Sequence, residues 1–192
     1  MAVFAVIGFG SLIWDLDDLA PRVEGQWTLY AGPRLPLEFS LVSAKRRRGL
    51  ALVIDHEQGQ SCPSCIISSR RNTIEAVVQD LAARERTSDQ KIGFIERDSG
   101  AARSCSAATL ASVRNWLVKS DYAGAVWTDG VSNFESVLGV KFSVAAATAH
   151  LRSLEGTSAA EAKRYITLAP GKVDTPLRRA LAGQPWWIEQ LY

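Results

Sequence analysis

Val6-Ile7-Gly8-Phe9-Gly10-Ser11-Leu12-Ile13-Trp14 is the stretch on which the reading of this chain turns. The preceding run, Val3–Ile7, is apolar and β-branched and stops at the pair Gly8 and Gly10. A buried strand is therefore expected to run into a tight loop. Gly-x-Gly lets the main chain turn its N–H groups toward a ligand, and such a nest suits a carboxylate or a phosphate. A dinucleotide fingerprint would need a third glycine at position 13, where Ile13 stands, and the segment Asp15–Ala20 carries aspartates at 15, 17 and 18 that repel a pyrophosphate. A strand-exit turn with no ligand is the other alternative.

Outward from this loop, Leu16–Leu19 and Pro21 suggest a turn, and Gln26–Tyr30 a short strand. Leu37–Ser43 alternates, with Leu37, Phe39 and Leu41 on one face, which predicts a half-buried strand. Lys45–Arg48 is a cationic run ending at Gly49. Alternation there would turn Arg46 and Arg48 to one face and Arg47 to the other, as a solvated strand end or as a clamp for a second substrate carboxylate. Strands are expected at Leu50–Ile54, Ser61–Ser69, Lys91–Glu96 and Ala123–Thr128, with a weak one at Ser104–Thr109. Asn72, or alternatively Thr73, caps a helix carrying Ile74, Val77, Val78 and Leu81 at helical spacing and ending near Arg86–Ser88. Ala111–Lys119 is a helix or one turn of one. Beyond residue 135 the chain is mainly helical: Val144–Leu154, Ser158–Leu168, and Leu177–Leu181 opened by Thr175-Pro176, with Trp186 and Trp187 expected to pack the tail. Ser132-Asn133-Phe134 is read as a helix cap, with a cleft-lining loop as the alternative. This pattern gives an α+β body over residues 1–135 and a helical C-terminal extension over 136–192, packed on the same domain.

Composition narrows the functions open to such a chain. It has 192 residues, 47% apolar and 22% charged, with a net charge of +2. That charge argues for neither nucleic acid nor a membrane surface. The longest apolar runs fall well short of the ~20 residues of a membrane span, and the N-terminal stretch is too short for a signal peptide; a cytoplasmic protein is expected. Three cysteines are not a secreted disulfide framework. Cys62-Pro63-Ser64-Cys65 has CxxC spacing, but a zinc site would need two more ligands from Cys105, His56 and His150. It is read as a turn and strand start, and neither metal nor cofactor is expected.

The segment Gly-Phe-Gly-Ser-Leu-Ile-Trp after an apolar strand resembles the G-Y-G-S-L signature of the γ-glutamylcyclotransferase superfamily, and most its bacterial ChaC-type branch. The resemblance continues through Gly32, Arg34, Phe39, Ser43, Arg48 and Gly49, and reaches Leu81-Ala82-Ala83-Arg84-Glu85, where the superfamily carries its acidic catalytic residue on a helix. It covers about residues 3–95. It implies a mixed β-barrel with flanking helices. It also implies a cofactor-independent reaction in which the α-amine of a small γ-glutamyl amine or peptide attacks its own γ-carbonyl and releases 5-oxoproline. Phe9 stands where the family has tyrosine, and Arg86-Thr87-Ser88 lacks the glycine-rich continuation of the ChaC-type branch, which weakens any transfer of glutathione specificity.

Such a reaction needs the glutamyl chain folded, a proton removed from the ammonium and the oxyanion held. By resemblance, Glu85 is the general base, and Phe9, Gly10, Ser11, Leu12, Ile13, Arg34 and Arg48 form the substrate site. Glu85 lies four residues after Leu81, at the edge of the apolar face; a solvated glutamate paired with Arg84 or Arg86 is the plainer alternative. Ser11 is not read as a nucleophile, because Gly-Phe-Gly-Ser-Leu is not G-x-S-x-G. Two rival functions remain: a hydrolase or acyltransferase on the same fold, and a small-molecule-binding module without turnover.

Overall fold

In the computed structural model, which describes residues 2–189, the apolar run before the glycines is strand β1 (Phe4–Gly8), buried along its whole length. It is buried because it is central. It pairs in antiparallel fashion with β6 (Cys65–Ser69) and in parallel with β9 (Gly124–Thr128). This part of the chain also holds β2 (Val23–Thr28), β7 (Ile92–Glu96), the two-residue β8 (Ala102–Arg103) and helix α1 (Ile74–Glu85). The six strands form one mixed sheet in the order β2-β6-β1-β9-β7-β8.

Side-chain alternation sends Phe4 and Val6 of β1, Ile67 of β6 and Val126 of β9 toward α1, where they meet Ile74, Val77, Val78, Leu81 and Ala82. Leu12 and Leu19 join the same cluster. The loop after β1 thus places its own leucine in the core cluster to which α1 contributes. Thr73, not Asn72, caps α1: its hydroxyl accepts from the Ala76 N–H. The weak strand expected at Ser104–Thr109 is not one. Ser106 caps helix α2 (Ala107–Leu117) by accepting from Thr109 N–H, and the buried Asp129 carboxylate takes the Cys105 N–H and the Trp127 indole N–H. Side-chain acceptors here win the backbone donors from a ladder.

The described residues divide into two units, 2–35 with 63–130, and 36–62 with 131–189. The second unit holds the helices after residue 135 together with most of β3 (Arg34–Ser43), β4 (Gly49–Ile54) and β5 (Gln60–Pro63), which form a three-stranded sheet in the order β4-β3-β5. The strand expected over Ser61–Ser69 is two strands in different sheets, parted at the buried Ser64, whose hydroxyl and N–H both donate to the Pro33 carbonyl.

β3 is not half-buried. Glu38, Ser40 and Val42, on the face expected to be wet, are as buried as Leu37 and Phe39. That second face is covered by polar partners: Leu177 N–H donates to Glu38, Ser40 donates to Asp55, and Ser132 donates to the Ser40 carbonyl. Asn133 does not cap helix α3 (Phe134–Leu138) with its side chain; its amide pairs with both backbone groups of Val42, as a neighbouring strand would. Helices α4 (Val144–Ser153), α5 (Gly156–Leu168), α6 (Pro176–Ala182) and α7 (Pro185–Glu189) follow. Trp187 is buried in this unit, and the Lys163 ammonium donates to its carbonyl.

The α+β class holds. Neither sheet closes on itself among the described residues, so the barrel implied by the family resemblance is not present. No helix among the described residues is long and apolar enough to cross a membrane.

Candidate active site

Gly8, the last residue of β1, leaves no room for a larger side chain: a Cβ there would lie 2.6 Å from the Trp27 ring and 3.0 Å from Ile13 Cδ1. The chain bends through Phe9 and Gly10 and makes one short helical turn, Ser11–Ile13. Ile13 N–H donates to Gly10 O at 3.1 Å, and Trp14 and Asp15 N–H both donate to Ser11 O. These bonds sort the amides. Ile13 N–H is spent inside the turn, whereas those of Ser11 and Leu12 precede its first bond and have no partner within it. Of the amides read as a cradle, the turn therefore leaves two of its own for an anion. Ser11 is half-buried beside them; Phe9 and Leu12 are buried, at 7% and 5% exposure.

Glu85 is the last residue of α1. The helix stops there because Arg86 turns left-handed, at φ 53°, with its N–H on Ala83 O and the Thr87 N–H on Ala82 O. Two local preferences are broken at this point. A carboxylate at a helix C-terminus opposes the macrodipole, which favours cations there by about 0.3–1 kcal/mol. A left-handed C-cap favours glycine, and arginine occupies it.

Arg84 offsets the misplaced charge. Its side chain is 1% exposed, against 24% for Glu85. The guanidinium donates to the Asp15 carbonyl from Nε at 3.2 Å and from Nη2 at 2.5 Å, and its Nη1 lies 3.5 Å from Glu85 Oε1. Asp15 Oδ2 is 3.8 Å away. A buried cation keeps its place only when its donors are used, and this one uses them on the candidate base and on the residue that ends the glycine loop. A surface pair, Arg86 with Asp17 at 3.6 Å, joins the same two segments.

The remaining predicted residues are Arg34 and Arg48. Arg34 is exposed at the head of β3 and is not among the groups gathered by Arg84. Arg48 belongs to the second unit. The run Arg46–Arg48 is not a strand end with alternating faces but the connection between β3 and β4. Arg47 and Arg48 are both left-handed and exposed, and His150 Nε2 meets the Arg48 carbonyl at 2.8 Å. Arg46 is the buried member, 2.6 Å from Glu161 Oε1 and stacked over the Tyr165 ring. Tyr165 is a core tyrosine whose hydroxyl accepts from Leu52 N–H.

Arg84, which the sequence offers only as a surface partner for Glu85, is the buried side chain that contacts both Glu85 and Asp15. The signal available was its place on the apolar stripe, three residues after Leu81 and seven after Val77. A groove of about 570 Å³ runs along α5 past Ala159, Ala160, Lys163 and Thr167. It lies on one helix face of the second unit, and Lys163 is already engaged at Trp187. No group of three or more potential metal-ligating side chains is present among the described residues.

Comparison with known proteins gave no match: no family model, no curated protein and no solved structure is significantly similar to this chain.

Proposed function

We propose that this chain is a γ-glutamylcyclotransferase-type enzyme acting on a small γ-glutamyl amine or peptide. The observation that carries the proposal is the linkage through Arg84: one buried guanidinium lies 3.5 Å from the Glu85 carboxylate and donates to the carbonyl of Asp15, two residues past the Gly8–Ile13 loop. Glu85 keeps a second oxygen for substrate. It takes a proton from the substrate ammonium, and the freed amine attacks the γ-carbonyl carbon. The carbonyl oxygen becomes an oxyanion, held by the Ser11 and Leu12 amides. The tetrahedral centre then collapses, the γ-carbon–nitrogen bond breaks as Glu85 gives its proton to the departing nitrogen, and the ring nitrogen loses its extra proton through Glu85 to the released amine, which leaves as an ammonium. Proton and electron pairs balance, and the products are 5-oxoproline and an amine. Phe9 supports a second reading, a binding module without turnover, because the tyrosine hydroxyl of the superfamily signature is missing.

The test is incubation with a panel of γ-glutamyl amines and peptides while following 5-oxoproline. Oxoproline formed by the wild type and lost in Glu85→Gln supports the cyclotransferase. Free glutamate in its place identifies a hydrolase, and tight binding without product identifies a binding module.

A further inference from the structure

Arg84 has no counterpart in the chemistry above, yet it is the most completely buried charge in the first unit, at 1% exposure. A cation placed there for helix stability would be an odd choice, since removing a guanidinium from water costs several kcal/mol before partners repay it. What it does with its donors is more informative than where it lies. Two of them converge on one oxygen, the carbonyl of Asp15, and a third faces Glu85 Oε1. Asp15 in turn donates its N–H to Ser11 O, inside the turn whose open amides are Ser11 and Leu12. Base and turn are thus linked through one rigid planar fork and the Asp15 backbone. The contact takes one carboxylate oxygen of Glu85 and leaves the other.

We infer that Arg84 is a positioning residue: it sets the distance between the Glu85 carboxylate and the Ser11–Leu12 amides without touching substrate. This rests on the cyclotransferase reading for its kinetic consequence but not for its structural one. Lysine at 84 keeps the charge as a single point and cannot serve the Asp15 carbonyl twice while facing Glu85. Displacement of a reacting group by ~1 Å costs on the order of 10²-fold in rate. Ground-state affinity, which depends on the substrate's remote contacts, is spared.

The experiment is Arg84→Lys, measured by 5-oxoproline release per folded molecule and by amide hydrogen exchange. The expected result is a kcat lower by ~10²-fold with KM within ~3-fold. With it, exchange should be at least ~10-fold faster at the Ile13, Trp14 and Asp15 amides and unchanged at the β1 amides of Val6 and Ile7. Unchanged kcat per folded molecule overturns the inference, and so does unchanged exchange in the loop. If the wild type releases no oxoproline, the cyclotransferase reading fails while the exchange data still decide the clamp. If the lysine variant does not fold, the wild-type guanidinium resonances decide instead. Separate, slowly exchanging Nη protons for Arg84 support the clamp, and rapidly averaged ones overturn it.

Discussion

Glu38 and Glu85 are both glutamates removed from bulk water, and they are removed in opposite ways. Glu38, in the second unit, is fully buried. It accepts from its own neighbour Phe39 N–H, from Leu177 N–H in the first turn of α6 and from the Thr175 side chain. None of these partners is a cation. Burial pushes its pKa up, and nearby Asp55 adds to the rise against the three hydrogen bonds. Glu85, in the first unit, is a quarter exposed, sits at the wrong end of its helix and has a buried cation at one oxygen only. An acid whose lone pairs are consumed by backbone donors holds a fold together. An acid with an oxygen to spare and a charge fixed beside it is available for chemistry.

The largest effect that would break this contrast is kinetic. Glu85→Gln should lower 5-oxoproline release by ~10²–10⁴-fold, the range of a lost general base, and leave chemical stability against urea nearly unchanged. Equal loss of activity in Glu38→Gln at matched folded fraction would erase the distinction.

The next effect is on stability. Glu38→Ala strands the Leu177 and Phe39 donors in the interior and opens a cavity, so it should cost about 3–5 kcal/mol in urea denaturation. Glu85→Ala should cost less than about 1 kcal/mol. The pH dependence sharpens the same point. Glu38 holds its proton more tightly folded than unfolded. Its contribution is therefore complete below the ordinary carboxylate pKa of ~4.3 and is lost as pH rises through the raised folded value. Unfolding midpoints should fall over that window in the wild type, and the slope should be smaller in Glu38→Gln.

The smallest effect belongs to the surface pair Arg86 and Asp17, exposed by 69% and 38%. Arg86→Gly should be neutral or stabilising by up to ~1 kcal/mol, since glycine relieves the left-handed cap and an exposed ion pair is worth little.

The same contrast shows what could be read in the sequence. β1, α1 and the loop between them are legible because each carries its own local signal: a β-branched run, a 3.6-residue stripe, a glycine pair. The burial of Glu38 is not, because Leu37, Phe39 and Leu41 alternate like any half-wet strand, and apart from Asp55 the polar cover comes from residues more than 90 positions away in sequence, Ser132, Asn133 and Leu177. The turn at Arg46–Arg48 was hidden for a related reason: four consecutive cations suggest a solvated strand end, whereas the partner that buries Arg46, Glu161, lies on α5. In the site itself, Gly10–Leu12 and Glu85 could be singled out, but the residue linking them could not. An arginine next to a glutamate on a helix is ordinary, and only the position of the Asp15 carbonyl makes Arg84 a bridge.

The most direct measurement is an NMR titration of the wild-type protein with 5-oxoproline, the product of the proposed reaction. Saturable shifts should appear at the Ser11 and Leu12 amides and at the Glu85 side chain, with none at Phe39 or Leu177. Saturable binding that leaves Ser11, Leu12 and Glu85 unmoved would contradict the account.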